Sequence, residues 1–352
     1  MRLPGPLTTR AFGALPSALS SAEAGGAGGS SLLRSLEAQD RALKRLNSGE
    51  WPLAEAPEFV RTLAGSRSTS SDIDVDVAVC GGTLGIILAC ALQLKGHRVA
   101  VVEAGPLRGR AQDWNTSEEE LRQLVAMGVL TDEELRLVAP LSFGPMSCRF
   151  GPSPAFELKL QGVLDVGVSP VELLRCVRAR FVRAGGLVLE RTPVLEVRIH
   201  ADGAELLLSP PPSPPSSPPP SPPPSSPPLS PPPLPATTLH SRLVIDCMGH
   251  RSPIALQQRA GQRPDGVCVQ VGSCIDAEWA AQWQRRGDFF VTDGDAVCAG
   301  PNRRARVQYF WQAFPSSGAA SERSTYLFTY LKPGDEMPGL LEVMELQPKP
   351  KP

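Results

Sequence analysis

The apolar pattern is densest between residues 76 and 103. Val77, Val79 and the residue between them form a short apolar run, as a strand buried on both faces requires. Cys80-Gly81-Gly82-Thr83-Leu84-Gly85 then leads into an apolar helix through Leu94. Gly96 stops that helix, because glycine takes the left-handed cap conformation at little cost. Val99 to Val102 predicts a second strand with Glu103 at its end. Ser117-Glu-Glu-Glu120 and Thr131-Asp-Glu-Glu134 each fit a capping box, and Gly128 ends the first of these helices. Ser169-Pro170-Val171-Glu172 predicts a helix to Ala184 with Leu174, Val177 and Phe181 as its core stripe. Leu187 to Glu190 and Val194 to Ile199 read as strands, and Asp202-Gly203 as the hairpin turn before Glu205 to Leu208. Strand pattern resumes at Leu243-Val244-Ile245, and Val307 to Phe314 and Tyr326 to Leu331 read as aromatic strands of one sheet.

Strand, glycine turn, helix, strand and acid in that order predict a βαβ unit that binds a dinucleotide. Gly82 is expected to let the backbone approach a pyrophosphate that a Cβ would push away, and Gly85 to let the helix pack closely on the strand. The first amides of a helix lack internal partners and carry partial positive charge, so phosphate binds there. Glu103 is expected to face solvent until it accepts hydrogen bonds from an adenosine ribose. Its charge would repel a 2′-phosphate, which favours FAD or NAD over NADP. Cys80 stands where the G-x-G-x-x-G pattern has its first glycine, so the tight turn must be made another way. Arg110 is placed to reach a cofactor phosphate as a bidentate donor, or to remain a solvated arginine.

Length and composition set the outer bounds. At 352 residues the chain can bury one large or two ordinary cores. The net charge of −1 gives no electrostatic case for nucleic acid. No apolar run is long enough to predict a spanning helix. The 8 cysteines form no C-x-x-C pair, so reduced thiols and no structural metal are expected. His97, His200, His240 and His250 are the only histidines, and no Ser-His-Asp or Cys-His constellation can be assembled. No catalytic side chain is assigned.

Residues 1–71 read as a transit peptide, a surface helix over Ser31 to Leu46 and a Ser-rich linker. The first 30 residues carry Arg2 and Arg10, many Ser and Ala, and no acid before Glu23, which suits import into a plastid or a mitochondrion. The folded domain is expected over residues 72–346. A Pro/Ser-rich insertion at 209–236 would be polyproline II or disordered, inert or docked in an SH3- or WW-type groove. Residues 347–352 read as a disordered tail.

The glycine turn with Glu103, Arg110-Ala-Gln-Asp-Trp-Asn115 and Arg242 to Ser252 resemble the flavoprotein superfamily of para-hydroxybenzoate hydroxylase, geranylgeranyl reductase and the lycopene cyclases. The nearest likeness is to a plastid FAD/NAD(P)-binding oxidoreductase family related to lycopene cyclases. The resemblance implies a Rossmann-like α/β fold, doubly wound and mostly parallel, with an interleaved β-sheet substrate subdomain. It implies FAD contacts at Cys80, Gly81, Gly82, Thr83, Leu84, Gly85, Glu103, Ala104, Arg110, Val194, Gly249 and Ser252, with Met248 standing where the hydroxylases have Asp. NAD(P)H is the implied co-substrate, and the implied substrate is an apolar or aromatic plastid metabolite, with peripheral contact to a thylakoid or envelope membrane. The superfamily's later Gly-Asp motif is expected beyond residue 331, and Gly294-Asp295 precedes the aromatic strands, so the chain reads as C-terminally short. Three functions remain open: a flavin-dependent oxidoreductase of reductase or monooxygenase type, a cyclase-like enzyme using flavin without net redox change, and a non-catalytic nucleotide-binding or interaction protein.

Overall fold

The computed structural model describes residues 30–49, 58–67, 73–109, 112–151, 156–209, 237–276, 286–292, 307–316, 322–334 and 337–345. The expected transit peptide, the Pro/Ser-rich insertion, Arg110, Gly294-Asp295 and the tail lie outside them. In chain order the elements begin with α1 (Ser30–Asn47), β1 (Val60–Thr62), β2 (Ile73–Cys80), α2 (Gly85–Leu94), β3 (Val99–Val102) and β4 (Trp114–Thr116). Next come α3 (Glu118–Ala126), α4 (Asp132–Val138), β5 (Leu141–Ser142), β6 (Met146–Phe150), β7 (Glu157–Leu160), β8 (Val166–Val168) and α5 (Pro170–Arg183). Then follow β9 (Leu187–Leu189), β10 (Val194–His200), β11 (Gly203–Leu208), β12 (Thr237–Asp246) and α6 (Pro253–Gln258). The last are β13 (Val267–Asp276), β14 (Asp288–Val291), β15 (Phe310–Pro315), β16 (Glu322–Leu331) and α7 (Leu340–Glu345).

The chain divides into two compact units, each built from discontinuous segments. One comprises Ala56–Leu107 and Val177–Gln258 and holds a seven-stranded sheet in the order β1-β10-β11-β12-β2-β3-β9. Its parallel centre runs β12, β2, β3 and β9, while β10, β11 and β12 form an antiparallel meander. β3 is buried along its whole length, which explains why Val99-Ala-Val-Val102 is apolar without alternation. Val75, Ala78, Val102, Leu206, Leu208 and Leu239 share its core. Gly96, at φ +94°, ends α2 in the left-handed conformation. β11 and β12 pair from Leu208↔Thr237 onward, so the Pro/Ser-rich insertion connects two paired strand ends.

The other unit comprises Met1–Glu55, Arg108–Cys176 and Arg259–Pro352. It holds a six-stranded sheet in the order β13-β16-β15-β14-β6-β7 and a small sheet β4-β8-β5. The two aromatic stretches do pair: Phe310 faces Phe328 in the β15–β16 ladder, with the rings stacked 5.0 Å apart. Val307 and Tyr309 precede the strand rather than belong to it, and both are buried in the core with Val269, Val271 and Leu327.

Two expectations need correction. Helix α1 is not a surface element ahead of the folded chain, because Leu36 and Leu43 pack on the core containing Val269, Leu327 and Val343. Its Asp40 is buried, accepts from the Leu341 amide at 3.1 Å and pairs with Lys44. The folded chain also does not begin near Asp72, since β1 pairs in parallel with β10 at Val60↔Val197. Isolated short segments such as Val60-Arg-Thr62 carry too little periodicity to reveal pairing across more than a hundred residues.

Both predicted capping boxes form. The Glu120 amide donates to the Ser117 hydroxyl and the Glu134 amide to that of Thr131, while each Glu carboxylate takes the N-cap amide. Ser117→Ala or Thr131→Ala should each lower stability by about 1 kcal/mol. Urea unfolding checks this, with the midpoint moving and the slope unchanged; a midpoint that does not move contradicts it.

Candidate functional site

β12, β2 and β3 are parallel neighbours, and the loops after their C-terminal ends meet. In open parallel sheets ligands bind at such ends. Three segments converge here: Gly81–Gly85 after β2, Glu103–Leu107 after β3, and Cys247–Ser252 after β12.

Gly81 fixes the geometry. Its φ is +97°, and a Cβ there would stand 2.3 Å from the Cys247 carbonyl oxygen and 2.8 Å from the Met248 nitrogen. Its amide donates to the Val102 carbonyl at 2.8 Å. The tight turn that Cys80 cannot make is therefore made one residue later. Cys80 stays in the strand as its last residue, fully buried, and its carbonyl accepts from the Cys247 amide at 2.7 Å. Burial pushes its thiol up to about 12, with the Asp246 carboxylate and the Cys247 thiol adding to the rise. The Cys80 side chain is thus a core hydrophobe, and any part it takes in a site falls to its backbone.

Gly82 also differs from expectation. A Cβ there would meet Leu107 Cδ1 at 2.5 Å and Val101 Cγ1 at 3.3 Å, so what fills that direction is this chain's own leucine. At Gly85 a Cβ would meet Val79 Cγ1 at 2.7 Å and Cys247 Cβ at 3.1 Å, so α2 lies directly on β2 and on the turn after β12. Thr83 and Leu84 are exposed, and Ala104 is exposed beside Glu103.

Glu103 does not wait free in solvent. Its carboxylate accepts from the Gly82 amide at 2.7 Å and the Gly105 amide at 2.9 Å, tying the two turns together. On its far side the Leu107 amide donates to Glu190, which pairs with Arg178. After β12, Asp246 organises the third segment. It accepts from the Met248 amide at 3.0 Å and from the Ser252 hydroxyl, while Ser252 accepts from the Ala255 amide. Gly249 takes φ +76° with open space around it.

Among the twelve residues the resemblance implied, the structure gathers Gly81 to Gly85, Glu103 and Ala104, with Gly249 and Ser252 in the adjoining turn. Val194 begins β10, faces Leu208 and packs, partly buried, against the hydrophobic core, two residues after Thr192, whose amide donates to the Glu103 carbonyl at 2.9 Å. Its apolar character comes from that burial. Asp246, Leu107 and Glu190 were missed. Asp246 carries the same signal that marked Glu103, an acid ending an apolar strand.

The donor set suits a diphosphate. Helix α2 has no side-chain cap and no acid in its first turn, unlike α3 and α4. Among the described residues the amides of Thr83, Leu84 and Gly85 have no acceptor. An anion at this end would satisfy them and meet the positive end of the helix dipole.

No known protein-family profile matches the chain, and no curated protein does. Solved structures do resemble it in fold. A flavoprotein/dehydrogenase from Cytophaga hutchinsonii is 12% identical over 73% of this chain and 56% of that one, with a TM-score of 0.49. A geranylgeranyl bacteriochlorophyll reductase-like protein from Thermoplasma acidophilum is 15% identical over 73% and 56%, with a TM-score of 0.47. A probable FAD-dependent monooxygenase from Pseudomonas aeruginosa is 15% identical over 74% and 61%, with a TM-score of 0.45. The chain thus spans a little over half the length of these proteins.

Gly81→Ala should destabilise the chain by more than the roughly 1–2 kcal/mol that left-handed strain alone costs, because the neighbour it meets is backbone. Chemical denaturation measures it, and a variant as stable as the wild type would show that the two turns separate freely.

Proposed function

We propose that this chain carries the cofactor-binding core of an FAD-dependent oxidoreductase. One observation carries the reading: an uncapped helix N-terminus that follows a glycine turn, flanked by a strand-end carboxylate. The Thr83, Leu84 and Gly85 amides would hold the diphosphate. Glu103 would keep the Gly82 and Gly105 amides and offer its remaining lone pairs to a ribose hydroxyl, since a carboxylate accepts about four bonds. When bound, the flavin supplies the redox chemistry, and the protein supplies orientation. An apolar or aromatic substrate suits the unit that bears Phe289, Phe310, Phe328 and Tyr330 on neighbouring strands, with Tyr330 67% exposed. A plastid setting rests on the Arg/Ser/Ala-rich, acid-poor first 30 residues.

A second reading is nucleotide binding without redox turnover. Leu107 favours it, since its side chain fills the space in front of Gly82 and restricts how closely a cofactor approaches there.

The test is visible flavin absorbance of the purified full chain after loading with excess FAD, followed by calorimetry. FAD should bind saturably, and Glu103→Gln should weaken it about ten- to a hundredfold with the fold intact. ADP bound without FAD would select the second reading, and failure of FAD, NAD and ADP alike would overturn both. Separately, residues 1–60 fused to a fluorescent protein should direct it into chloroplasts; diffuse cytosolic or mitochondrial signal would contradict the plastid setting.

A further inference from the structure

Asp246 raises a question of sign. It ends β12 and lies exposed near the start of α2, where the amides of Thr83, Leu84 and Gly85 have no acceptor among the described residues. A carboxylate near an anion site repels the anion, so its presence there asks for a compensating role. Its charge is felt locally: after burial, it is the next cause of the raised thiols of Cys80 and Cys247.

Its bonds supply that role. The Met248 amide donates to Oδ1 at 3.0 Å, and the Ser252 hydroxyl donates to Oδ2. Ser252 is 1% exposed, and its Oγ also accepts from the Ala255 amide at 3.2 Å. One carboxylate therefore closes residues 246–252 from both ends. Cys247 stands inside the closed turn. Its amide bonds to the Cys80 carbonyl, and its own carbonyl oxygen lies 2.3 Å from where a Cβ on Gly81 would be. Its Cβ lies 3.1 Å from where a Cβ on Gly85 would be. Gly81 makes the glycine turn and Gly85 begins α2, so both rest on Cys247.

We propose that Asp246 is a positioning residue for the anion site at the start of α2. It fixes the Cys247 turn, and that turn fixes the glycine turn and the three amides behind it. The inference rests on the nucleotide-binding reading given above. Asp246 acts through the backbone of Cys247. The held turn outweighs the repulsion, because solvent screens the field of an exposed carboxylate, whereas misaligned amides lose their bonds to an anion outright.

Calorimetric titration of the full chain with ADP, paired with amide exchange at Gly81 and Cys247, is the test. Wild type should bind ADP saturably. Asp246→Ala should weaken ADP roughly tenfold and speed exchange at both amides, with the chain still folded by circular dichroism. Asp246→Asn keeps an acceptor for Met248 and a donor toward Ser252, so it should restore near-wild-type affinity. Ser252→Ala should reproduce the loss, and the double variant with Asp246→Ala should lose no more than either alone. Should Asp246→Ala fail to fold, Ser252→Ala carries the same comparison. Repulsion alone predicts the opposite sign, with Asp246→Ala and Asp246→Asn both binding ADP more tightly, and that result would overturn the proposal. So would Asp246→Ala binding as tightly as wild type, or Asp246→Asn binding as weakly as Asp246→Ala. Failure of the wild type itself to bind ADP would remove the nucleotide reading, and this role with it.

Discussion

The candidate site depends on the backbone contact between Gly81 and Cys247. Two parallel strands end side by side, and their following turns approach until no side chain fits between them. The Cys247 amide bonds to Cys80 and the Gly81 amide to Val102, so three strands are joined at one level. Gly85 then brings α2 down onto Val79, and its first amides emerge at the end of the sheet with no partner. A side chain at Gly81 would move the turn, and with it the amides that make the site.

The same economy of contacts explains Glu103. A carboxylate at a strand end beside two glycine turns finds two backbone amides within reach and takes both. It holds the turn in shape before any ligand arrives, so its structural and binding roles use different lone pairs of one group. The contrast with α3 and α4 sharpens this. Those helices carry their own Ser117–Glu120 and Thr131–Glu134 caps, whereas α2 begins Leu84-Gly85-Ile86 with nothing to offer its amides. A side-chain cap would argue for a purely structural helix; its absence at the start of α2 leaves a place for an anion.

Much of this was legible in the sequence because it is local. The βαβ unit, both capping boxes, the Ser169-Pro170 helix and the Asp202 hairpin each declare themselves within a dozen residues. What the sequence could not show is what lies opposite each residue. Gly82 reads as a place for a pyrophosphate until Leu107, twenty-five positions later, is found against it. Cys80 reads as a damaged turn until Gly81 is found to make it. Val194 reads as a site residue from the resemblance alone, and its partner Leu208 adds that it packs half-buried against the core. Helix α1 looks detached because the strands and helix it packs on, β13, β16 and α7, come more than two hundred residues later. Contacts distant in sequence decide the cases of Gly82 and helix α1, and periodicity does not encode them.

Amide hydrogen exchange with and without saturating ADP tests the central claim, that the open start of α2 holds a diphosphate. Exchange at Thr83, Leu84 and Gly85 should slow when ADP is added, while the capped amides of Glu120 and Glu134 keep their rates. Unchanged exchange at all three, with ADP shown to be bound, would place the diphosphate elsewhere and remove this turn from the site.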